Sequence, residues 1–367
     1  MDLKVPEKER LIYLDFLKVL AIFFVCFYHY NNLNIDFLTN QKISVYFNYF
    51  FKGLASTGAP LFFMVNGALM LNNNYNLKKH IKKITNIIAL TFIWGIITLL
   101  ILSVISGKVY SNRDFLYALW TWETDTINHL WFLQSLACIY ILFPLIKEVY
   151  DKKDKKVLIY TFFIFFIFTF GNVLLNILFN LLEFIMGTNF ITANYLNFFN
   201  NFNLFKGFYA YSIVYFILGG LIKQNLSQIK SNDKMKLIIL LLLGNFCLFM
   251  YGLVMSKSNG GVFDIVWTGY DTIMTLIMCI ALFKSAYLIK NSLSKMHYII
   301  ELIGQNTLGI YLIHRIVGTI LYPYYQLLTC STNLIANILF GMLVMIVSLL
   351  LTLLLKKIPF FKILFKI

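Results

Sequence analysis

The residues best suited to chemistry lie in one apolar segment near the start of the chain, LIYLDFLKVLAIFFVCFYHYN, which carries Asp15, Lys18 and His29. A Lys or Asp at the centre of a membrane helix costs about 2.5–3.5 kcal/mol, so such residues rarely persist there without a partner or a function. Lys18 and His29 are eleven residues apart, which on a helix returns to within roughly 20° of one face and separates them by about 16 Å. The spacing predicts a cation near one membrane surface and an imidazole deeper in the bilayer.

His29 has the side chain that general-base activation of a hydroxyl requires, because a neutral imidazole can accept a proton near neutral pH. A lone buried histidine is more often a structural, hydrogen-bonded group. Here Asp15, Lys18 and His29 share one helix, and these repeated polar positions favour a hydrated passage from the cytoplasm to the middle of the membrane. We therefore predict that His29 and Asp15 are the catalytic residues, with Asp15 orienting or neutralising Lys18.

The composition defines the class of protein. Hydrophobic residues make up 60% of the 367 residues and charged residues only 13%, whereas about a quarter of the residues are charged in soluble proteins. The net charge of +15 could suggest nucleic acid, but the 31 Lys and Arg residues lie mainly in short clusters between apolar segments. The sequence predicts a polytopic membrane protein with no nucleic acid partner.

Apolar runs long enough to cross a bilayer predict an all-α membrane bundle of about ten transmembrane helices. They cover approximately 11–31, 46–71, 84–105, 129–147, 157–186, 207–223, 236–256, 262–284, 298–322 and 333–355. Most Lys and Arg residues fall on the side of the N-terminus, which places both termini in the cytoplasm by the positive-inside rule. The longest polar stretch, Thr188 to Asn203, is too short for a soluble domain, so residues 1–367 are expected to form one membrane-embedded domain.

The second predicted span, STGAPLFFMVNGALML, contains a polar residue, Asn66, in a helix that Gly58 and Pro60 are expected to bend. Two interpretations have about equal weight. The segment is either a kinked packing helix or the wall of a cavity, since irregular backbone at depth is tolerated where protein or water satisfies it.

The segment NLKKHIKKI follows, and at helical spacing Lys79, Lys82 and Lys83 share a face at a helix N-terminus. Such lysines more often set topology and touch anionic lipid. Alternatively, their ammonium groups and the free N–H donors of the helix would bind phosphate, which would fit a cytoplasmic phosphate-rich donor such as a coenzyme A thioester. The sequence leaves both readings open.

Three further residues are candidates for lining a substrate path. His129 precedes Trp131 near the outer end of the fourth predicted span, while Glu301 and His314 lie in the two halves of the ninth. For His314 and its neighbour Arg315, a structural role is at least as well supported as a chemical one. The five cysteines have neither CxxC nor metal-ligand spacing, so we expect no metal.

Several fragments resemble the integral-membrane acyltransferase 3 family, the O-acyltransferases of bacterial surface polysaccharides. They occur in the family's order along nearly the whole chain: LDFLKVLAIFFVCFYH, GAPLFFMVNGALML, HLWFLQSLACIYILFPL, FILGGLIK and IGQNTLGIYLIH. The chain looks most like the stand-alone branch, similar to the O-acetyltransferase of enterobacterial common antigen. The family's basic residue, separated from a following histidine by ten intervening positions, matches Lys18 and His29. The family's arginine is replaced by Lys18, which lacks the planar fork suited to phosphate or carboxylate.

The resemblance implies transfer of an acyl group, most often acetyl, from cytoplasmic acyl-CoA to a hydroxyl of a cell-surface or lipid-linked glycan at the plasma membrane. Acetyl-CoA would bind at Lys18, Lys79, Lys82 and Lys83, while His29 would be general base or transient acyl carrier. The expected partners are the bilayer, acyl-CoA and the glycan, and association with polysaccharide biosynthesis machinery or with a second copy is open. An exporter of glycans or lipid-linked intermediates is the competing class, and a scaffold for a polysaccharide synthase is a third.

Overall fold

The structure is a computed structural model that describes residues 10–107, 110–122, 126–187, 199, 202 and 209–365. Most of the polar stretch from Thr188 to Asn203 lies outside the described residues. The same holds for five basic residues that enter the topology argument: Lys4, Lys8, Lys108, Lys206 and Lys366. Within the described ranges every regular element is helical, as the composition predicts.

The described residues contain sixteen α-helices. In chain order they are α1 (Ile12–His29), α2 (Ile43–Gly53), α3 (Gly58–Leu71), α4 (Leu77–Ser106), α5 (Asn112–Thr121), α6 (Trp131–Asp151), α7 (Lys156–Phe166), α8 (Asn172–Met186), α9 (Tyr211–Asn225), α10 (Asp233–Asn259), α11 (Ile273–Leu288), α12 (Lys290–Leu293), α13 (His297–Gly304), α14 (Thr307–Gln326), α15 (Leu334–Leu355) and α16 (Pro359–Leu364). A 3-10 turn joins α2 to α3, and a π-helical turn joins α7 to α8.

Among the described residues, seven helical stretches are long and apolar enough to cross a membrane. They are Ile12–His29, Ile43–Leu71, Leu77–Ser106, Asn128–Asp151, Lys156–Met186, Asp233–Asn259 and Leu334–Leu355. The pair Ile273–Leu288 and Lys290–Gly304 is bent by 67° and would make an eighth span if it crosses as one unit. The protein is therefore a multi-pass helical membrane protein, and the count of ten spans remains a prediction.

Several predicted spans differ from the observed helices, and two of the differences bear on the cavities described below. The span predicted at 262–284 begins too early, because residues 261–272 form a loop with one 3-10 turn and α11 starts at Ile273. The span predicted at 298–322 is interrupted between Gly304 and Thr307, where α13 ends and α14 begins. Apolar composition alone identified both regions, but it does not reveal where polar side chains in a loop replace the hydrogen bonds of a helix.

Close helix packing holds the bundle together around α1 and α3. Helix α1 packs against α3, α11, α13, α14 and α15, while α3 packs most extensively against α9. A Cβ atom added at Gly67 of α3 would lie 1.8 Å from the Phe216 carbonyl oxygen, and one at Gly219 of α9 would lie 2.0 Å from that of Met64. Small residues at such crossings allow the van der Waals contact that drives helix association in lipid.

Candidate active site

The N-terminal end of α1 carries a compact ion-pair cluster. The Asp15 carboxylate is almost fully buried and lies 3.0 Å from Lys18 Nζ and 2.5 Å from Arg10 Nε. Arg10 also lies 3.7 Å from Glu301 of α13, and Glu301 pairs with His297 at 3.1 Å. The buried carboxylate is thus compensated by two cations, as a charge of low exposure requires, and it holds Lys18 in place.

Lys18 opens onto a cavity of about 270 Å³, which we call the Lys18 cavity. Lys83 of α4 lines it as well, with its Nζ 5.0 Å from the centroid of the Tyr140 ring. Asn66 lies on the same wall and accepts a hydrogen bond of 3.1 Å from the Tyr140 hydroxyl. Two cations and an amide therefore face one space, which is suited to an anionic ligand.

The structure separates the three lysines that the sequence grouped. Lys83 lines the Lys18 cavity, whereas Lys79 and Lys82 are exposed on α4 and are not part of its wall. Helix α4 begins at Leu77, where Asn76 caps the backbone N–H of Lys79. Glu301 does not line the Lys18 cavity either. Gln305, which donates a hydrogen bond of 2.7 Å to Glu301, does line it.

The other end of α1 opens onto a larger cavity of about 690 Å³, the His29 cavity. Its lining combines side chains from the end of α1 and from four other parts of the chain: Tyr28, His29, Asn31, Asn32, Leu33, Ile35, Lys52, Asn128, His129, Trp131, Asp264, Trp267 and Arg315. The Tyr28 hydroxyl donates to Asp264 at 2.6 Å, and Lys52 Nζ lies 5.9 Å from the Tyr28 ring centroid. Most of the residues that line the cavity around the His29 imidazole are polar.

Arg315 of α14 is the nearest charged partner of His29. Its Nη1 lies 3.5 Å from His29 Nδ1, and because a guanidinium only donates, Nδ1 is the accepting nitrogen. In the neutral ring the proton is then on Nε2. Tyr30 positions the arginine, since its hydroxyl donates to the Arg315 carbonyl at 2.6 Å and its ring lies 5.8 Å from the guanidinium carbon.

His129 and His314 lie beside His29. The ring centroids of His29 and His314 are 5.4 Å apart, and those of His129 and His314 are 5.7 Å apart. His314 Nδ1 lies 2.5 Å from the Tyr311 carbonyl, which only accepts, so Nδ1 carries the proton and Nε2 has the lone pair. Three imidazoles that are distant in sequence form one cluster.

The predicted hydrated passage along α1 is wrong for this structure. Ile22, Val25 and Cys26 lie between Lys18 and His29 on the shared face, and all three are buried in packing contacts. The Lys18 and His29 cavities have no lining residue in common. Each of the two residues does line a cavity. The spacing did not reveal that the residues between Lys18 and His29 are packed against other helices.

One layer of side chains separates the two cavities on the α6 and α14 side. Tyr311 and Phe132 line the Lys18 cavity, with ring centroids 5.5 Å apart. The Tyr311 hydroxyl donates to the carbonyl of His129, which lines the His29 cavity. On this side, Tyr311 and Phe132 lie between a group bound at Lys18 and the His29 cavity.

Sequence reasoning missed one residue of the ion-pair cluster, Arg10, and several residues of the two cavities. Arg10 was counted only as a topology charge, and Tyr28 and Lys52 carried no signal beyond their type. Asp264 is an acidic residue at the edge of a predicted span, which is a signal that could have identified it. Tyr311 has no sequence signal, because aromatic residues on an apolar face are usually core residues.

Among the described residues, no group of three or more His, Cys, Asp or Glu side chains could hold a metal ion. Cations line the Lys18 cavity, and imidazoles line the His29 cavity. The membrane-embedded protein thus has groups for anion binding and for proton transfer. Residues 11–357 match the acyltransferase 3 family, described as an acyltransferase domain. The chain belongs to that family, and it is a membrane acyltransferase that uses an acyl donor and an acceptor.

No curated protein and no solved structure matches the chain. The family match over residues 11–357 confirms the expected resemblance to the acyltransferase 3 family over nearly the whole sequence. The narrower resemblance to the stand-alone O-acetyltransferase branch remains a prediction.

Proposed function

We propose that the protein is an O-acyltransferase that moves an acetyl group from cytoplasmic acetyl-CoA to a hydroxyl of a cell-surface or lipid-linked glycan. A single membrane domain, with both termini in the cytoplasm of a plasma-membrane protein, would carry out the transfer. The observation that carries the proposal is the pair of cavities at the two ends of α1, one lined by Lys18 and Lys83 and the other by His29 and Arg315.

The donor would bind at the Lys18 cavity. Lys18 and Lys83 supply positive charge for the phosphates, and Asp15 acts as a positioning residue that holds Lys18. The axial distance from Lys18 to His29 is about 16 Å by helix geometry, which an extended pantetheine arm spans. Because Tyr311 and Phe132 lie in the way, this layer must open when the donor binds.

The chemistry would take place in the His29 cavity. The acceptor hydroxyl replaces Arg315 at His29 Nδ1 and gives up its proton to that nitrogen as its oxygen attacks the thioester carbonyl carbon. The displaced guanidinium is then available to stabilise the oxyanion. The C–S bond breaks, and the thiolate of coenzyme A takes a proton from the imidazolium.

A two-step relay uses the same groups. In it His29 Nδ1 attacks the thioester carbonyl carbon first, the C–S bond breaks, and the thiolate of coenzyme A takes the proton from Nε2. The acyl group of the resulting acyl-imidazole then passes to the acceptor hydroxyl, which regenerates the imidazole. His314, whose ring centroid lies 5.4 Å from that of His29, would act as the base for the acceptor in that second step. The two routes differ in whether an acylated histidine accumulates without acceptor.

The direct test measures release of coenzyme A from acetyl-CoA, and acetyl transfer to extracted cell-surface polysaccharide, by the purified full chain in detergent. We expect His29→Ala to reduce both by about 10²–10⁴-fold, the usual contribution of a general base. His297→Ala is the matched control, because this half-exposed histidine lies outside both cavities.

A wild-type rate for a folded His29→Ala protein would remove the imidazole from the mechanism. The same assay separates the enzyme from the competing exporter. Vectorial movement of glycan in vesicles without thioester consumption would favour transport instead.

A further inference from the structure

A third cavity, of about 290 Å³, lies beside the His29 cavity and has no part in the mechanism above. Its lining comes from α8, the start of α9, α10 and the loop 261–272, and we call it the aromatic cavity. The side chains that matter for its chemistry are Asn172, Asn176, Tyr251, Trp267 and Asp271. Trp267 lines this cavity and the His29 cavity alike, so the two spaces share a wall.

The ring of Trp267 is held in place and partly available. It makes edge-to-face contacts with Trp131 and Tyr270, at centroid distances of 5.3 and 5.7 Å, and a third contact with Tyr209 at 6.1 Å. Even so, 40% of Trp267 is exposed. A fixed aromatic face at a cavity wall is suited to a flat apolar surface of a ligand.

The lining also contains hydrogen-bonding groups. Asn172 is 8% exposed, and its Oδ1 has no hydrogen-bond partner among the residues the structure describes. Leaving such an atom unsatisfied costs about 1–3 kcal/mol. Asn176 is buried next to it and donates to the Asn172 carbonyl at 3.0 Å. A ligand that donates hydrogen bonds would relieve this cost.

Asp271 adds an acceptor in the loop just before α11. Burial raises the pKa of its carboxyl to about 6, so it is mainly ionised at neutral pH and accepts hydrogen bonds only. A negative group here repels phosphates and other anions. A lipid chain would leave Asp271 and Asn172 without partners, which is costly in an apolar setting.

A pyranose ring matches this lining because its C–H faces are apolar and its edge carries hydroxyl donors. The volume is close to the lower end of ligand pockets, roughly 300–1,000 Å³, which suits one or two rings. We propose that the aromatic cavity binds an uncharged pyranose unit of the acceptor glycan adjacent to the unit acylated in the His29 cavity. The acceptor is then recognised at two neighbouring sugars across Trp267, an inference that rests on the proposed function.

The test measures sugar binding separately from acyl transfer. Saturation-transfer NMR on the full chain in detergent would use three probes, methyl β-D-glucopyranoside, methyl β-D-galactopyranoside and methyl N-acetyl-β-D-glucosaminide. We expect at least one probe to bind the wild-type protein and its Kd to rise at least tenfold in Asn172→Leu and in Asp271→Leu. Leu178→Ala, at an exposed position of α8, is the control and should bind normally.

Asp271→Asn keeps the shape and hydrogen-bonding ability of the side chain, so it guards against a folding defect. It should show an intermediate loss of affinity and a melting temperature near that of the wild type. Release of coenzyme A in the absence of acceptor should stay within about twofold in all of these variants. Binding of no probe, or unchanged binding in both Leu variants, would overturn the proposal.

The two proposals fail in different ways. If binding follows the cavity variants but no protein turns over acetyl-CoA, the proposed function fails and the sugar site stands as a glycan site of another activity. If turnover depends on His29 but binding ignores Asn172 and Asp271, the sugar site alone is wrong.

Discussion

The two ends of α1 are built in different ways. At the Lys18 end, Asp15 and Lys18 pair across three residues of one helix, so the contact is local and follows from the helical repeat. At the His29 end, the partner Arg315 is 286 positions away and the remaining polar groups come from other helices and loops. The Asp15–Lys18 pair is thus encoded locally, whereas the contact between His29 and Arg315 exists only when the bundle has assembled.

The largest effect is expected at the assembled end. Arg315→Ala removes the donor next to His29 Nδ1, and the loss of one oxyanion-stabilising donor lowers kcat by about 10²–10³-fold. Arg315→Lys should recover part of the rate, because it restores the charge without the fork. The measurement is acetyl transfer at saturating acetyl-CoA, with the exposed Arg113→Ala as control. An unchanged kcat would show that the arginine has only a structural role.

At the Lys18 end we expect an effect on donor binding. Lys18→Ala and Lys83→Ala should each raise the KM for acetyl-CoA by about tenfold, which corresponds to about 1.4 kcal/mol, with little change in kcat. Lys79→Ala and Lys82→Ala provide matched controls on the exposed face of α4, and their KM should change less than about threefold. Equal effects in both pairs would contradict the assignment of the donor cavity.

Removing the shared carboxylate should weaken the cluster as well as donor binding. Asp15→Asn leaves Lys18 and Arg10 without their buried anion. Because both cations are partly exposed, the free energy of unfolding should fall by only about 1–2 kcal/mol. Thermal melting in detergent measures this change, and Asp154→Asn at an exposed position is the control. A melting temperature equal to the wild type would mean that the pairs contribute nothing to stability.

The smallest effect concerns the layer between the cavities. Tyr311→Phe removes one hydrogen bond, to the His129 carbonyl, and such a bond contributes about 0.5–1.5 kcal/mol. Easier opening should raise acetyl-CoA hydrolysis without acceptor by about two- to fivefold. Stopped-flow or steady-state release of coenzyme A measures the change. A slower reaction would indicate that the hydroxyl takes part in the chemistry instead of closing the layer.

The sequence predicted features that depend on local residue type, and it missed features that depend on how the helices assemble. The apolar runs predicted an all-helical membrane protein, and the fragments around Lys18 and His29 predicted the family that residues 11–357 confirm. The break between α13 and α14 and the late start of α11 were missed. Hydropathy averages over a window, so it does not register a turn whose side chains satisfy the backbone locally.

By itself the sequence determined the polar residues of α1, their separation along the helix and the membrane class, because these depend on residue type and helical repeat alone. Only the tertiary structure decided that Ile22, Val25 and Cys26 are packed, and that Lys83 and not Lys79 joins Lys18. It also decided that His314 and Arg315 contact His29, and that His129 contacts His314. The reason is physical: which helices become neighbours is set by side-chain packing across the bundle, which no spacing within one segment specifies.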